Sequence, residues 1–296
     1  MEGSVLTEVL LPAILAFIMF GMGLTLTPPD FTRLVYAPKP VLLGLLGQLI
    51  MLPIMAFMLA INFNAPTFIA IGMMVLAACP GGTTSNLFSH IARANLALSV
   101  SLTAITTVVC VFTTPFLIKF ALAYFSTDKA LEFSLIKTSL GLVLISLVPI
   151  TIGMTVRHFF ANFALRTESL FRHLAMIFMI VIIIAICIKE RDMLVEAFPL
   201  VFMYALLLNA AATIMGIIVS KLGKLPRRDE TTLGIEIGTQ NSTMAMLIAI
   251  SFIQEPALSI APAAYGLVMY IGATALVFYN RNCTKAVDAE LLSKQK

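Results

Sequence analysis

Charge is sparse in this chain. Asp, Glu, Lys and Arg make up only 11% of its 296 residues, 60% are hydrophobic, and the mean hydropathy is +1.01. A soluble fold of this length has too little interior to hide so much apolar surface, so lipid must cover much of it. Cysteine is also scarce: Cys79, Cys110, Cys187 and Cys283 are scattered without metal-like spacing and read as small packing residues. The three histidines, His90, His158 and His173, fall at expected helix ends beside Arg, which argues against a buried metal site. Within the spans there is neither a pair of Asp nor a His beside a nucleophile, so an intramembrane enzyme has no catalytic group to use. No cofactor motif appears. The N-terminal M-E-G-S, with Glu8 soon after, lacks the positive region and cleavage site of a signal peptide, so the first apolar segment is expected to be a retained helix.

What is present is a series of apolar runs long enough to cross about 30 Å of hydrocarbon as helices. Nine are expected, at roughly 5–26, 40–61, 68–91, 96–121, 131–156, 170–188, 195–220, 231–253 and 256–279. The joints are short, so the expected fold is one all-α integral membrane domain, 1–296. Fourteen of the nineteen Lys and Arg fall on one side of that arrangement, among them Arg33, Arg93, Arg157 and the 221–228 cluster. The positive-inside rule then sets the N-terminus outside and the C-terminus in the cytoplasm, in the cytoplasmic membrane. The basic excess of +4 is topology, and nucleic acid is not an expected partner.

Of fifteen acidic residues, Glu236 alone sits well inside a span, in T-L-G-I-E-I-G-T-Q-N-S-T. A carboxylate in hydrocarbon costs at least ~2.5–3.5 kcal/mol unless it meets a cation, a proton or water. The third span is interrupted too, by A-C-P-G-G-T-T-S-N at 78–86. Pro80 removes a backbone donor and Gly81-Gly82 loosen the helix, freeing carbonyls and amides. Spans three and eight are an odd number apart and so cross in opposite directions, the pattern of an inverted repeat whose paired broken helices form a site near the bilayer centre. On the fourth span Ser99, Thr103 and Thr107 share a face that can point at the break. Gln48 and Asn209 are further mid-span amides, the latter read as interhelical glue. Hard oxygen donors around one negative charge suit a small hard cation such as Na⁺.

These residues carry a resemblance to the bile acid:sodium symporter family. It rests on I-M-F-G-M-G-L-T-L (18–26), G-Q-L-I-M-L-P (47–53), C-P-G-G-T-T-S-N…A-R-A-N-L-A-L-S-V-S-L-T (79–103) and E-I-G-T-Q-N-S (236–242). The resemblance implies a core domain (about 40–121 and 195–279) and a panel domain (about 5–26 and 131–188), with the two discontinuous helices crossing in the core. It implies a first sodium site from Ser85, Asn86, Ser99, Thr103 and Glu236. A second would use Gln48, Glu236, Gln240 and the carbonyls of Ile237 and Thr239. Asn241, with Thr83 and Thr84, would meet an organic anion near the crossover.

The implied activity is sodium-coupled symport of an organic anion by alternating access, with two Na⁺ per cycle and a monomer or weak homodimer as the working unit. Bile acids, sulfated steroids and small carboxylates such as pantoate or pyruvate are the implied substrates. Relative to ten-helix members the chain is expected to begin at the second helix. Ala94 replaces a common Gly, Tyr270-Ile271 replaces a His-Asn pair, and Thr239 stands where other side chains occur. The competing expectations are a proton-coupled or arsenite-type carrier of related architecture, suggested by Cys79 beside Pro80 but opposed by the following G-G-T-T-S-N and by E-I-G-T-Q-N, and a channel.

Overall fold

The computed structural model describes residues 11–126, 133–189 and 191–294, and among them there is no strand. Expectations for 5–10, 131–132, Lys129 and Lys296, and for the side chains of Cys187, Cys283 and the C-terminal basic residues, lie outside what is described. The elements are α1 (Leu11–Gly23), α2 (Pro28–Tyr36), α3 (Pro38–Asn62), α4 (Thr67–Ala78), α5 (Thr84–Ile91), α6 (Leu96–Phe125), α7 (Leu135–Phe159), α8 (Ala161–Lys189), α9 (Arg191–Leu222), α10 (Arg227–Gly238), α11 (Ser242–Phe252) and α12 (Ile260–Lys294). By length and composition six continuous helical stretches among the described residues can cross a membrane: α3, α6, α7, most of α8, most of α9, and the stretch Pro256–Asn280 that leads into α12. A seventh is the pair α1 and α2 if taken together, although they bend by 64° at 24–27. Two of the expected spans are the broken pairs α4–α5 and α10–α11, whose apolar halves Thr67–Ala78 and Ser242–Phe252 are too short to cross alone.

The joints differ from expectation in a consistent direction: they are more helical. The loop expected before residue 40 contains α2, opened by Pro28-Pro29 and by a capping box in which Asp30 accepts from the backbone and hydroxyl of Thr27 at 2.7 and 2.8 Å. The stretch before residue 170 is helix from Ala161, so His173 lies several turns inside α8 with Nδ1 against the Ser169 carbonyl, not at a helix end. Polar composition signalled a loop there, but the first turns of a long helix tolerate charge on their exposed face.

The lipid-facing surface is legible as stripes. On α7, Ile136, Leu140, Leu144, Val148 and Ile152 are all exposed at four-residue spacing, and Phe112, Phe116 and Phe120 repeat this on α6. Helices α1, α7 and α8 pack on one another, while α9, α10 and α12 form a second group together with α4 and α6. Small residues allow the closest approaches, as expected where lipid removes the hydrophobic drive between helices. A Cβ on Gly153 would overlap the Phe20 carbonyl of α1, and one on Gly216 of α9 would come within 2.6 Å of the Leu233 carbonyl of α10.

Prolines shape the spans. Pro53 cannot donate to the carbonyl four residues back, and its ring crowds that carbonyl; the turn before it, Gly47–Met51, is widened to a π turn that contains Gln48. Val143–Leu147 precedes Pro149 in the same way on α7.

Candidate functional site

The two interruptions meet. Helix α4 ends at Ala78 because Cys79, forced out of the helical region by the following Pro80, takes φ −79° and ψ 158°. Helix α10 ends at Gly238, where the β-branched Thr239 is extended at φ −115°, ψ 103°. The extended segments lie side by side in opposite directions, Gly81 opposite Gln240. Gly82 donates its amide to the Thr239 carbonyl at 3.0 Å, and Asn241 donates to the Pro80 carbonyl at 3.0 Å. Each break therefore satisfies part of what the other freed.

Two of the other freed carbonyls have dedicated side-chain partners. The Gly238 carbonyl accepts from Asn209 Nδ2 at 2.8 Å and from the Tyr265 hydroxyl at 2.9 Å. The Ala78 carbonyl accepts from Thr114 Oγ1 at 2.6 Å. Asn209 thus does more than join helices: it closes the end of α10. Sequence reasoning passed over Tyr265 and Thr114. Their signal was a hydroxyl deep in an apolar run, which must find an acceptor when buried.

Glu236 is 1% exposed, one turn before the break in α10. Its Oε2 accepts from Ser99 Oγ at 2.6 Å and its Oε1 from Thr103 Oγ1 at 2.5 Å, both on α6. Ser85 Oγ of α5 lies 3.5 Å from Ser99 Oγ, extending the oxygen cluster to the other broken helix. Thr103 also donates back to the Ser99 carbonyl at 3.1 Å. Thr107 only donates back, at 2.6 Å to the Thr103 carbonyl, so the hydroxyl stripe faces Glu236 for two residues and not three. Asn86 follows Ser85, lines the neighbouring cleft, and its buried Oδ1 makes no hydrogen bond among the described residues.

The second expected set gathers around the carboxamides. Gln48 Nε2 of α3 donates to Gln240 Oε1 at 2.8 Å, and Gln240 Nε2 donates to the Ile237 carbonyl at 2.8 Å. Gln48 Oε1 is buried with no hydrogen bond among the described residues. The Thr239 carbonyl, engaged by Gly82, keeps a second lone pair. These groups fit a hard cation in type: neutral amide and carbonyl oxygens beside one carboxylate. A cation there would compete with hydrogen bonds that the amides now make with one another.

Asn241 caps α11, its Oδ1 accepting from the Met244 amide at 3.0 Å. It lines a small cavity of about 60 Å³ with Thr83, Thr84, Gln240, Ser242 and Tyr270, walled by methionines of α1, α8 and α12. Buried Thr84 Oγ1 and Ser242 Oγ make no hydrogen bond among the described residues. Ile18, Met22 and Thr83 also border a larger cleft of about 340 Å³ that reaches Asn86, His90, Leu96 and Glu168. Of the two residues that depart from the His-Asn pair, Tyr270 faces the small cavity beside Phe88 and Ile271 is exposed. Ala94 carries no backbone penalty, since the left-handed residue at the end of α5 is Arg93, at φ 54°.

A lipid-facing helical shell around a buried carboxylate, where two interrupted helices exchange backbone hydrogen bonds, is the architecture of a membrane transporter. The chain belongs to the sodium bile acid symporter family, whose model matches residues 12–197, more than half of its length. It is 33% identical over 236 residues to the uncharacterized sodium-dependent transporter YocS of Bacillus subtilis, covering 79% of this chain and 72% of that protein. It is 26% identical over 268 residues to the probable chloroplastic sodium/metabolite cotransporter BASS2 of Oryza sativa subsp. japonica, covering 90% of this chain and 63% of the relative. The ileal sodium/bile acid cotransporter of Oryctolagus cuniculus is 25% identical over 260 residues, 85% of this chain and 72% of the relative.

Proposed function

We propose that this protein is a sodium-coupled symporter of an organic anion, working by alternating access with two Na⁺ per cycle. The observation that carries the reading is Glu236: a buried carboxylate with hydroxyls on both oxygens, at the meeting of two broken helices. The relatives named as sodium-dependent transporters support it.

One Na⁺ would be held by Ser85, Asn86, Ser99, Thr103 and Glu236, and the other by Gln48, Gln240, Glu236 and the carbonyls of Ile237 and Thr239. For a cation to enter, the hydroxyls now donating to Glu236 turn their lone pairs inward, and the ion replaces them as the partner of the carboxylate. Fixing the two extended segments steadies the N-termini of α5 and α11, whose dipoles favour an anion beside Thr83, Thr84 and Asn241. Ions and anion thus favour the same arrangement of α1, α7 and α8 against the rest, and differential affinity couples their passage.

With the N-terminus outside, the end of the larger cleft lined by His90 and Leu96 lies on the cytoplasmic side, where cargo would be released. Two Na⁺ carried with a monoanion move one net positive charge, worth ~2.3 kcal/mol per 100 mV, and a tenfold sodium gradient adds ~1.4 kcal/mol per ion. The total of roughly 5 kcal/mol supports several-thousandfold accumulation, so import is uphill. The substrate is a bile-acid-like anion or a small carboxylate such as pantoate or pyruvate.

The test is uptake of labelled organic acids into proteoliposomes, with Na⁺ replaced by choline at fixed pH. Sodium-dependent accumulation supports symport; accumulation driven by a pH gradient without sodium assigns the protein to proton-coupled carriers; non-saturable equilibration assigns it to channels.

A further inference from the structure

A polar cluster lies one helical turn below the proposed ion site, on residues with no part in it. Asn95, the N-cap of α6, precedes Ser99 by four residues, and Thr232 precedes Glu236 by four on α10, a step of about 6 Å along each helix. The two helices are joined at this level. Asn95 donates its side-chain Nδ2 to Asp229 Oδ1 at 2.7 Å and its backbone amide to Thr232 Oγ1 at 2.8 Å. Its Oδ1 caps α6 by accepting from the Leu98 amide at 3.2 Å. Asp229 is 7% exposed and Thr232 fully buried. A buried carboxylate needs partners, and here Asn95 supplies one while the first turn of α10 supplies a favourable dipole. The linker that carries Asn95 is itself strapped down, since Asn280 Nδ2 of α12 donates to the Ala92 carbonyl at 2.8 Å.

We propose that the Asn95–Asp229 pair is a positioning device for sodium: by locking α6 to α10 just below the site, it fixes Ser99 and Thr103 against Glu236 and sets ion affinity. The pair touches no ion and acts through the spacing of the two helices. It rests on the symport reading, because only a cation between these helices makes their separation matter to transport.

The discriminating substitution is Asn95→Asp. Asp caps helices as well as Asn does, and Arg33 Nη2, 3.5 Å from Asn95 Oδ1, faces the side chain in every variant, so α6 keeps its cap while the cross-helix donor is lost and a second carboxylate is set against Asp229. The double variant Asn95→Asp/Asp229→Asn restores one donor and one carboxylate with the roles exchanged. Sodium half-saturation is read for wild type, the single and the double variant by thermal shift in detergent, titrating NaCl against choline chloride at constant ionic strength, and by sodium-dependent uptake. The single variant is expected to raise half-saturation about tenfold, with the double variant within about twofold of wild type. An unchanged half-saturation in the single variant overturns the proposal, as does a double variant that stays as weak as the single. A role in stability alone would lower the melting temperature in choline and leave the sodium titration midpoint unmoved, which also overturns it. If wild type itself shows no sodium response, the symport reading fails and takes this proposal with it; a wild-type response with an unmoved single variant sinks only the positioning role.

Discussion

A Cβ placed on Gly81 would lie 2.6 Å from Glu236 Oε1. Gly81 is needed for space and not for conformation, because no glycine among the described residues has positive φ. Gly81→Ala is therefore expected to fold, yet to push the carboxylate away from Thr103. A sodium half-saturation raised about tenfold, with near-normal detergent-extracted yield, is the expected outcome in an uptake titration. An unaltered sodium titration would mean that the carboxylate geometry does not govern ion binding.

Glu236→Gln removes the charge and keeps the shape. One of the Ser99 and Thr103 hydroxyls can rotate to accept from the new amide nitrogen while the other goes on donating to the amide oxygen, so the helices stay joined. Charge-assisted bonds contribute about 1.5–3 kcal/mol, so sodium affinity should fall roughly 10- to 100-fold. Stabilisation of the protein by sodium in a thermal-shift assay should disappear with it. Full sodium-dependent uptake by this variant would remove Glu236 from the ion site.

Much of this site was legible in the chain, and the reasons are local. Pro80 and the paired glycines announce a break in any helix, and a single Glu in a long apolar run has to meet something polar. The oxygen-bearing residues of 79–103 and 236–242 follow from the same reasoning. What one chain pattern could not give was partnership across helices. That Asn209 and Tyr265 share the Gly238 carbonyl, or that Asn95 spans to Asp229, depends on which helices adjoin. The N-cap chemistry of Asn95 before L-A-L-S was readable, its second role was not. The joints differ for another reason: polar residues at 28–36 and 161–169 suit both a loop and a helix with a charged exposed face, and only contacts with neighbours decide between them.

Gln48 separates the two proposed ions. It reaches Gln240 from α3 and has no hydrogen bond to the Ser99–Thr103 group, so Gln48→Leu should disable one site and spare the other. Wild-type uptake is expected to rise with sodium at a Hill coefficient near two, and the variant near one. A coefficient that does not change assigns Gln48 to structure alone.

The last prediction concerns the cost of keeping α10 open. Gly238 has lost the helical donor to its carbonyl, and Asn209 and Tyr265 replace it from α9 and α12. Tyr265→Phe removes one donor while preserving shape, and Asn209 still satisfies the oxygen; the expected loss is about 1 kcal/mol. Asn209→Leu leaves Tyr265 in place and should cost a similar amount. Together they leave a buried carbonyl with no protein donor, so the double variant should lose more than the sum, by about 1–3 kcal/mol of coupling. Thermal unfolding of the four proteins in one detergent measures the cycle. Additive losses would show that water or a shifted backbone satisfies Gly238 without them. Because the broken end of α10 also supports Gln240, the double variant should weaken sodium stabilisation as well, whereas each single variant should keep it.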